Sequence, residues 1–202
     1  MRIKQLITTF MIIMLSISVG FGRDVKIGKT APAFSLTDIS GKTHNLKDYR
    51  GKYVVLEWTN YDCPFVKKHY NSGNMQSLQK KYTEQGIVWL SINSSAPGKQ
   101  GNFATDEITS RATAHGAAFS AYLRDQDGKV GKRYGAKTTP HMFIVDPKGK
   151  LVYMGGIDDI KSTKQTDIGR ATNYVAAALD AALAGKTIAV SSSAPYGCGV
   201  KY

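Results

Sequence analysis

Cysteine is scarce in this 202-residue chain: there are two, Cys63 and Cys198, far apart in sequence. A chain this long buries a core of its own, so two cysteines are not the framework of a small disulfide-stapled scaffold. No cluster of cysteine and histidine has metal-ligand spacing, and no segment repeats, which excludes zinc-finger and solenoid architectures. No apolar run reaches the roughly 20 residues of a membrane-spanning helix. Acidic residues are few, 15 against 27 lysines and arginines, for a net charge of +12. The lysines are scattered without interleaved aromatics. That pattern points to solvation and weak adhesion to anionic envelope surfaces, with no nucleic-acid partner.

The first residues read as a targeting segment. Met1-Arg2-Ile3-Lys4 is a basic start, residues 6–19 are apolar and uncharged, and Gly20 and Gly22 are small residues at a cleavage point. Residues 1–22 are therefore expected to be a signal peptide, with an uncleaved anchor as the alternative, and the protein to be periplasmic or secreted. Residues 23–188 form one domain. Residues 189–202, rich in serine, proline and glycine, form a tail that carries Cys198 and is expected to be unattached until that cysteine is bonded.

Along the domain, residues 25–46 suggest a hairpin around Asp38-Ile39-Ser40-Gly41-Lys42. Residues 53–58 and 87–92 are near-continuous apolar runs, as in parallel strands covered on both faces. Between them, residues 63–82 have helical spacing, with Met75, Leu78 and Tyr82 on one face and Gly86 as a stop. Weaker patterns predict a helix at 105–115, a strand at 118–123 and a helical turn at 129–134. A hairpin follows, with strands at 141–145 and 151–154 about Asp146-Pro147-Lys148-Gly149, and a last helix at 168–184. Alternation followed by a hairpin implies an α/β fold, a mixed central sheet with helices on both faces.

Cys63 follows the first apolar run and precedes Pro64 at a predicted helix start. Unpaired N–H groups and the positive end of the helix dipole favour a thiolate there, as does Lys67 one turn on, while Asp62 opposes it. The plain alternative is a buried, inert thiol. Cys198, in Tyr196-Gly197-Cys198-Gly199, admits three readings: a structural disulfide to Cys63, a resolving thiol forming the same bond transiently, or two cysteines that never meet. His69 is expected at the surface, facing away from Cys63. His141 is a candidate for the site edge, and Trp58 and Tyr61 are expected to be core and cleft wall.

With Gly28-Lys29-Thr30-Ala31-Pro32-Ala33-Phe34, then residues 46–56, Cys63-Pro64 and Thr139-Pro140 in that order, the chain resembles the thioredoxin-like superfamily. Within it, the chain is similar to the redoxin and peroxiredoxin-related branch (alkyl hydroperoxide reductase–thiol-specific antioxidant) with an N-terminal β-hairpin extension. The resemblance implies a reactive Cys63 and a cis Pro140 beside its sulfur. It also implies that Thr139 keeps a backbone edge free for an incoming peptide. Two departures stand out. Val66 occupies the place of the usual second cysteine, and Leu56 and Asn60 replace the proline and the threonine or serine of the peroxiredoxin run.

The expectation is thus an exported thiol-dependent oxidoreductase with Cys63 as nucleophile and Cys198 as resolving cysteine. Asn60, Pro64, Thr139 and Pro140 are expected to line the substrate site. The oxidant is a peroxide or a protein or small-molecule disulfide, an external thiol restores the enzyme, and no cofactor or metal is implied. The alternative is a non-catalytic envelope protein with a structural Cys63–Cys198 disulfide and a partner-binding groove.

Overall fold

The computed structural model describes residues 25–202, so the expected signal peptide at 1–22 lies outside the described residues. Three apolar strands, β3 (Val54–Trp58), β4 (Val88–Asn93) and β5 (Ala121–Arg124), run parallel at the centre of a seven-stranded sheet. The hairpin of β1 (Ser35–Asp38) and β2 (Thr43–Asn45) joins antiparallel beside β5. Its turn is held by Asp38, whose carboxylate accepts from the backbone of Ser40 and Lys42. On the other side β7 (His141–Val145) pairs antiparallel with β3, and β8 (Leu151–Gly155) with β7.

Strand alternation divides the core in two. Val55, Trp89, Met142 and Ile144 face helices α1 (Pro64–Asn71), α2 (Asn74–Thr83), α3 (Thr105–Ala114) and α5 (Tyr174–Leu183). Val54, Leu56, Trp58, Leu90 and Phe143 face the N-terminal segment and the short helix α4 (Lys129–Tyr134). The mixed sheet with helices on both faces is therefore present. Two helices differ from expectation. The helix read over 63–82 is broken at Ser72-Gly73, where Gly73 takes a left-handed φ of +75° and starts α2. The last helix begins at Tyr174, because Asn173 caps it there with a side chain that accepts from the Ala176 N–H. Ile168 lies in a separate 3-10 turn, Gln165–Arg170.

Within the run read as apolar, Glu57 is fully buried on the face covered by α1 and α2. It accepts hydrogen bonds from Tyr70 Oη (2.9 Å), Gln79 Nε2 (3.1 Å), Trp89 Nε1 (2.8 Å) and Ser91 Oγ (3.0 Å). Burial raises its pKa, and the four donors oppose that rise. Glu57 thereby ties β3 to β4, α1 and α2 underneath the loop that carries Cys63. Glu57→Ala would leave four buried donors without their acceptor. It is expected to cost about 3–5 kcal/mol in urea unfolding, and a loss below about 1 kcal/mol would contradict this role.

Candidate active site

Cys63 is the residue before α1, with Pro64 at the first helical position, where its missing N–H costs nothing. Its side chain has 0% exposure. The Thr139-Pro140 peptide is cis, as the resemblance implied, and as a thiol Cys63 donates to the Thr139 carbonyl at 3.0 Å. The strand pair β6 (Thr138–Thr139) and β9 (Cys198–Gly199) brings in the second cysteine: Thr139 is in register with Cys198, antiparallel. The two thiols are free, and Cys198 packs against the core cluster that contains Cys63.

This pairing splits their acidities. Burial pushes the Cys63 thiol up, but the neighbouring polar groups of Cys198 and Thr139 and the backbone N–H of Val66 outweigh it, and the net direction is down. Cys198 moves the other way, pushed up to about 11 by burial and by the neighbouring Cys63. The Thr139 hydroxyl is buried and has no hydrogen-bond partner among the described residues. Asp62 is turned away into an ion pair with Arg111 at 2.8 Å.

The tail is docked while both cysteines are free, which corrects the expectation that it needs the disulfide to be held. It runs beside β8, where Ser193 N donates to Met154 O and Ser193 Oγ accepts from Gly156 N. Tyr196 then enters a buried socket. Its hydroxyl donates to Asp158 Oδ1 at 2.5 Å, and its ring meets Phe65 edge-on. Lys68, 1% exposed, pairs with Asp158 at 3.3 Å and donates to Ile160 O at 3.0 Å. His69 Nε2 lies 3.2 Å from the Tyr196 hydroxyl. Past Cys198, Ala96 N donates to Lys201 O, and Tyr202 donates to Ala136 O while its ring covers Gly128 and Gly131.

Gly197 makes the approach possible. Its φ is +144°, and an added Cβ would lie 2.0 Å from the Thr139 carbonyl oxygen. The backbone edge expected to be free at Thr139 is thus filled by the protein's own chain.

The sequence model of the AhpC/TSA family matches residues 27–154. The chain belongs to the AhpC/TSA family. It is 32% identical over 127 residues to "Thiol-disulfide oxidoreductase ResA" of Geobacillus thermodenitrificans, a match spanning 63% of this chain and 67% of that one. It is 30% identical over 138 residues to "Thiol:disulfide interchange protein DsbE" of Pseudomonas fluorescens biotype C, spanning 66% and 70%. A solved structure of an uncharacterized conserved protein from Geobacillus kaustophilus superposes with a TM-score of 0.78 at 29% identity, covering 88% of this chain and 93% of that one. The thioredoxin-like fold is common to these neighbours.

Of the residues singled out in the sequence, Cys63, Cys198, Thr139, Pro140 and Pro64 converge in this AhpC/TSA fold. Asn60 is engaged locally: its Oδ1 accepts from Asp62 N at 2.9 Å and its Nδ2 donates to Gln100 O at 3.4 Å. His141 packs at a tilt against Phe143, on the sheet face opposite the Cys63 cluster, and burial lowers its pKa to about 4. His69, expected at the surface, is fully buried, and burial together with Lys68 lowers its pKa to about 3. Trp58 and Tyr61 are core. Sequence reading missed Lys68, Asp158, Tyr196 and Gly197. The one signal for them was a pair of tyrosines flanking Cys198 in an otherwise small, polar tail.

Thiolate absorbance against pH is expected to rise in two steps, one below the free-cysteine value of about 8.5 and one near 11. Cys198→Ala should move the lower step upward, since it removes a polar neighbour of Cys63. Two thiols titrating together at the free value would contradict the split. Gly197→Ala should speed amide exchange at 198–200 and expose Cys63 to alkylation, and unchanged exchange would contradict the close approach.

Proposed function

We propose that this AhpC/TSA protein is an exported thiol-disulfide oxidoreductase whose working couple is Cys63 and Cys198. The observation that carries the reading is the β6–β9 pairing, which sets Cys198 in register with Thr139, the residue whose carbonyl accepts from the Cys63 thiol, with the acidity of Cys63 raised and that of Cys198 lowered. The Cys63 thiolate is the nucleophile that closes the disulfide. In oxidation, the two cysteines give up two electrons and two protons to a partner disulfide, which leaves as two thiols. An external thiol reverses the process. The oxidoreductase names of the relatives at 30% and 32% identity support this reading. The basic and apolar residues at 2–19 support export.

Thr139, with Pro140, holds the couple in place. Its carbonyl accepts from Cys63, and its backbone is in register with Cys198. Val66, where a second motif cysteine is usual, packs in the core, so the resolving thiol comes from the other end of the chain.

A peroxide is the second oxidant consistent with the site, favoured by the buried Thr139 hydroxyl beside the Cys63 sulfur. There the thiolate attacks one peroxide oxygen and becomes a sulfenic acid, and the other oxygen leaves as alcohol or water. Cys198 then displaces water to give the same disulfide.

The test is turnover of a small disulfide and, separately, of a peroxide, with a dithiol reductant, by wild type, Cys63→Ser and Cys198→Ser. Wild type should turn over the disulfide, and both variants should fall to background. A disulfide that no thiol reduces, together with a stability loss of about 2–5 kcal/mol on its removal, would replace this reading by a structural staple.

A further inference from the structure

In a disulfide with one covered and one accessible sulfur, the external partner must bond to the accessible one. Cys63 is covered completely, whereas Cys198 is partly open to solvent. The tail packs into the same cluster as Cys63 through Tyr196 and Cys198, and it is fastened on both sides of Cys198 by Tyr196 and Tyr202. An unpaired strand edge accepts one added strand. At Thr138-Thr139 that strand is Cys198-Gly199, continued by Val200 N donating to Lys137 O.

From this placement we infer that external thiols and disulfides exchange at Cys198, not at Cys63, and that the seated tail restricts them to small molecules that need no strand edge. The inference rests on the Cys63–Cys198 couple and names its point of entry and substrate class.

Leaving-group chemistry agrees. Attack on Cys198 expels the Cys63 sulfur, whose thiolate is stabilised by surrounding donors. Attack on Cys63 would have to expel Cys198, whose pKa is pushed up to about 11. In the reductive direction, a small thiolate forms a bond to Cys198 Sγ while the Cys63–Cys198 bond breaks and its electron pair stays on Cys63. A second small thiolate attacks the bound partner's sulfur. The partner leaves as a symmetrical disulfide, and Cys198 takes a proton from water. Two small thiols are oxidised and one protein disulfide is reduced. In the other direction, Cys198 gives its proton to water and attacks one sulfur of a small disulfide, whose other half leaves as a thiolate. The Cys63 thiolate then attacks Cys198 Sγ and expels the bound half as a second thiolate, so one small disulfide is reduced as the protein couple is oxidised.

The socket under Tyr196 explains why the tail stays seated. Lys68 and Asp158 are an ion pair without solvent, and such a pair is tolerated only when its remaining donors and acceptors are satisfied. The Tyr196 hydroxyl satisfies Asp158 and is approached by Lys68 Nζ at 3.4 Å and by His69. Removing the tail would leave these groups buried beneath an empty socket or open to water.

The experiment uses the full-length oxidised protein mixed with limiting reduced glutathione, quenched in acid, digested and mapped by mass spectrometry. The glutathione adduct is expected on Cys198 in roughly tenfold or greater excess over Cys63, following access and leaving group. An adduct mainly on Cys63 overturns the inference while leaving the couple intact. Failure of the Cys63–Cys198 disulfide to form overturns the couple and the inference together. In a parallel arm, glutathione should reduce wild type roughly tenfold faster than a cysteine within an extended decapeptide of equal thiol pKa, and Tyr196→Ala, which loosens the tail, should narrow that gap. Equal rates in wild type overturn the restriction to small molecules, and this arm does not depend on the variant folding.

Discussion

Two backbones pass at Gly197 and Thr139 so closely that a single methyl group would separate them. The rest of the site depends on that approach. It sets Cys198 in register with the residue before cis-Pro140, the same Thr139 whose carbonyl accepts from the Cys63 thiol. A cysteine at a helix start has some thiolate character from first-turn N–H groups alone. Here polar groups of a strand remote in sequence add to that, so the chemistry of Cys63 is a property of how the chain folds back on itself.

Holding that strand costs conformational entropy, and no long apolar stretch in the tail offsets it. What holds it is polar and specific. Tyr196 completes the Lys68–Asp158 pair, Ser193 bonds to Gly156 and Tyr153, and Tyr202 caps Gly128 and Gly131. Beneath the same loop, Glu57 gathers Tyr70, Gln79, Trp89 and Ser91. Two buried acids thus fix the two sides of the site, Glu57 the strand that leads to Cys63 and Asp158 the tail that delivers Cys198. Polar networks of this kind favour one arrangement because any other leaves buried groups unsatisfied.

Much of the fold was legible in the sequence. The runs at 53–58 and 87–92 became paired parallel strands because strands covered on both faces are continuously apolar. The turn residues at 38–42 and 146–149 marked both hairpins. Cys63 and Pro140 were legible from local chemistry and order. The break at Gly73 was not, because Met75, Leu78 and Tyr82 keep helical spacing on the far side of it. Glu57 was hidden within an apolar run, since its partners are scattered from Tyr70 to Ser91. The tail misled for a related reason: serine, proline and glycine are what a mobile segment and a closely apposed one both contain. Only Tyr196 and Tyr202 hinted at attachment, and their partners are remote in sequence. His69 was misplaced because the tail that buries it is not adjacent in the chain.

The central claim is that Cys63 and Cys198 are one redox couple and not two independent thiols. A redox titration in graded dithiol buffers, with free thiols trapped by a mass label, tests it most directly. The account expects both thiols to disappear together in a single two-electron transition, with no singly labelled species, and with Cys63 in the Cys198→Ser protein showing no such transition. Singly labelled protein across the titration, or a Cys63 that stays free while Cys198 is oxidised, would contradict it.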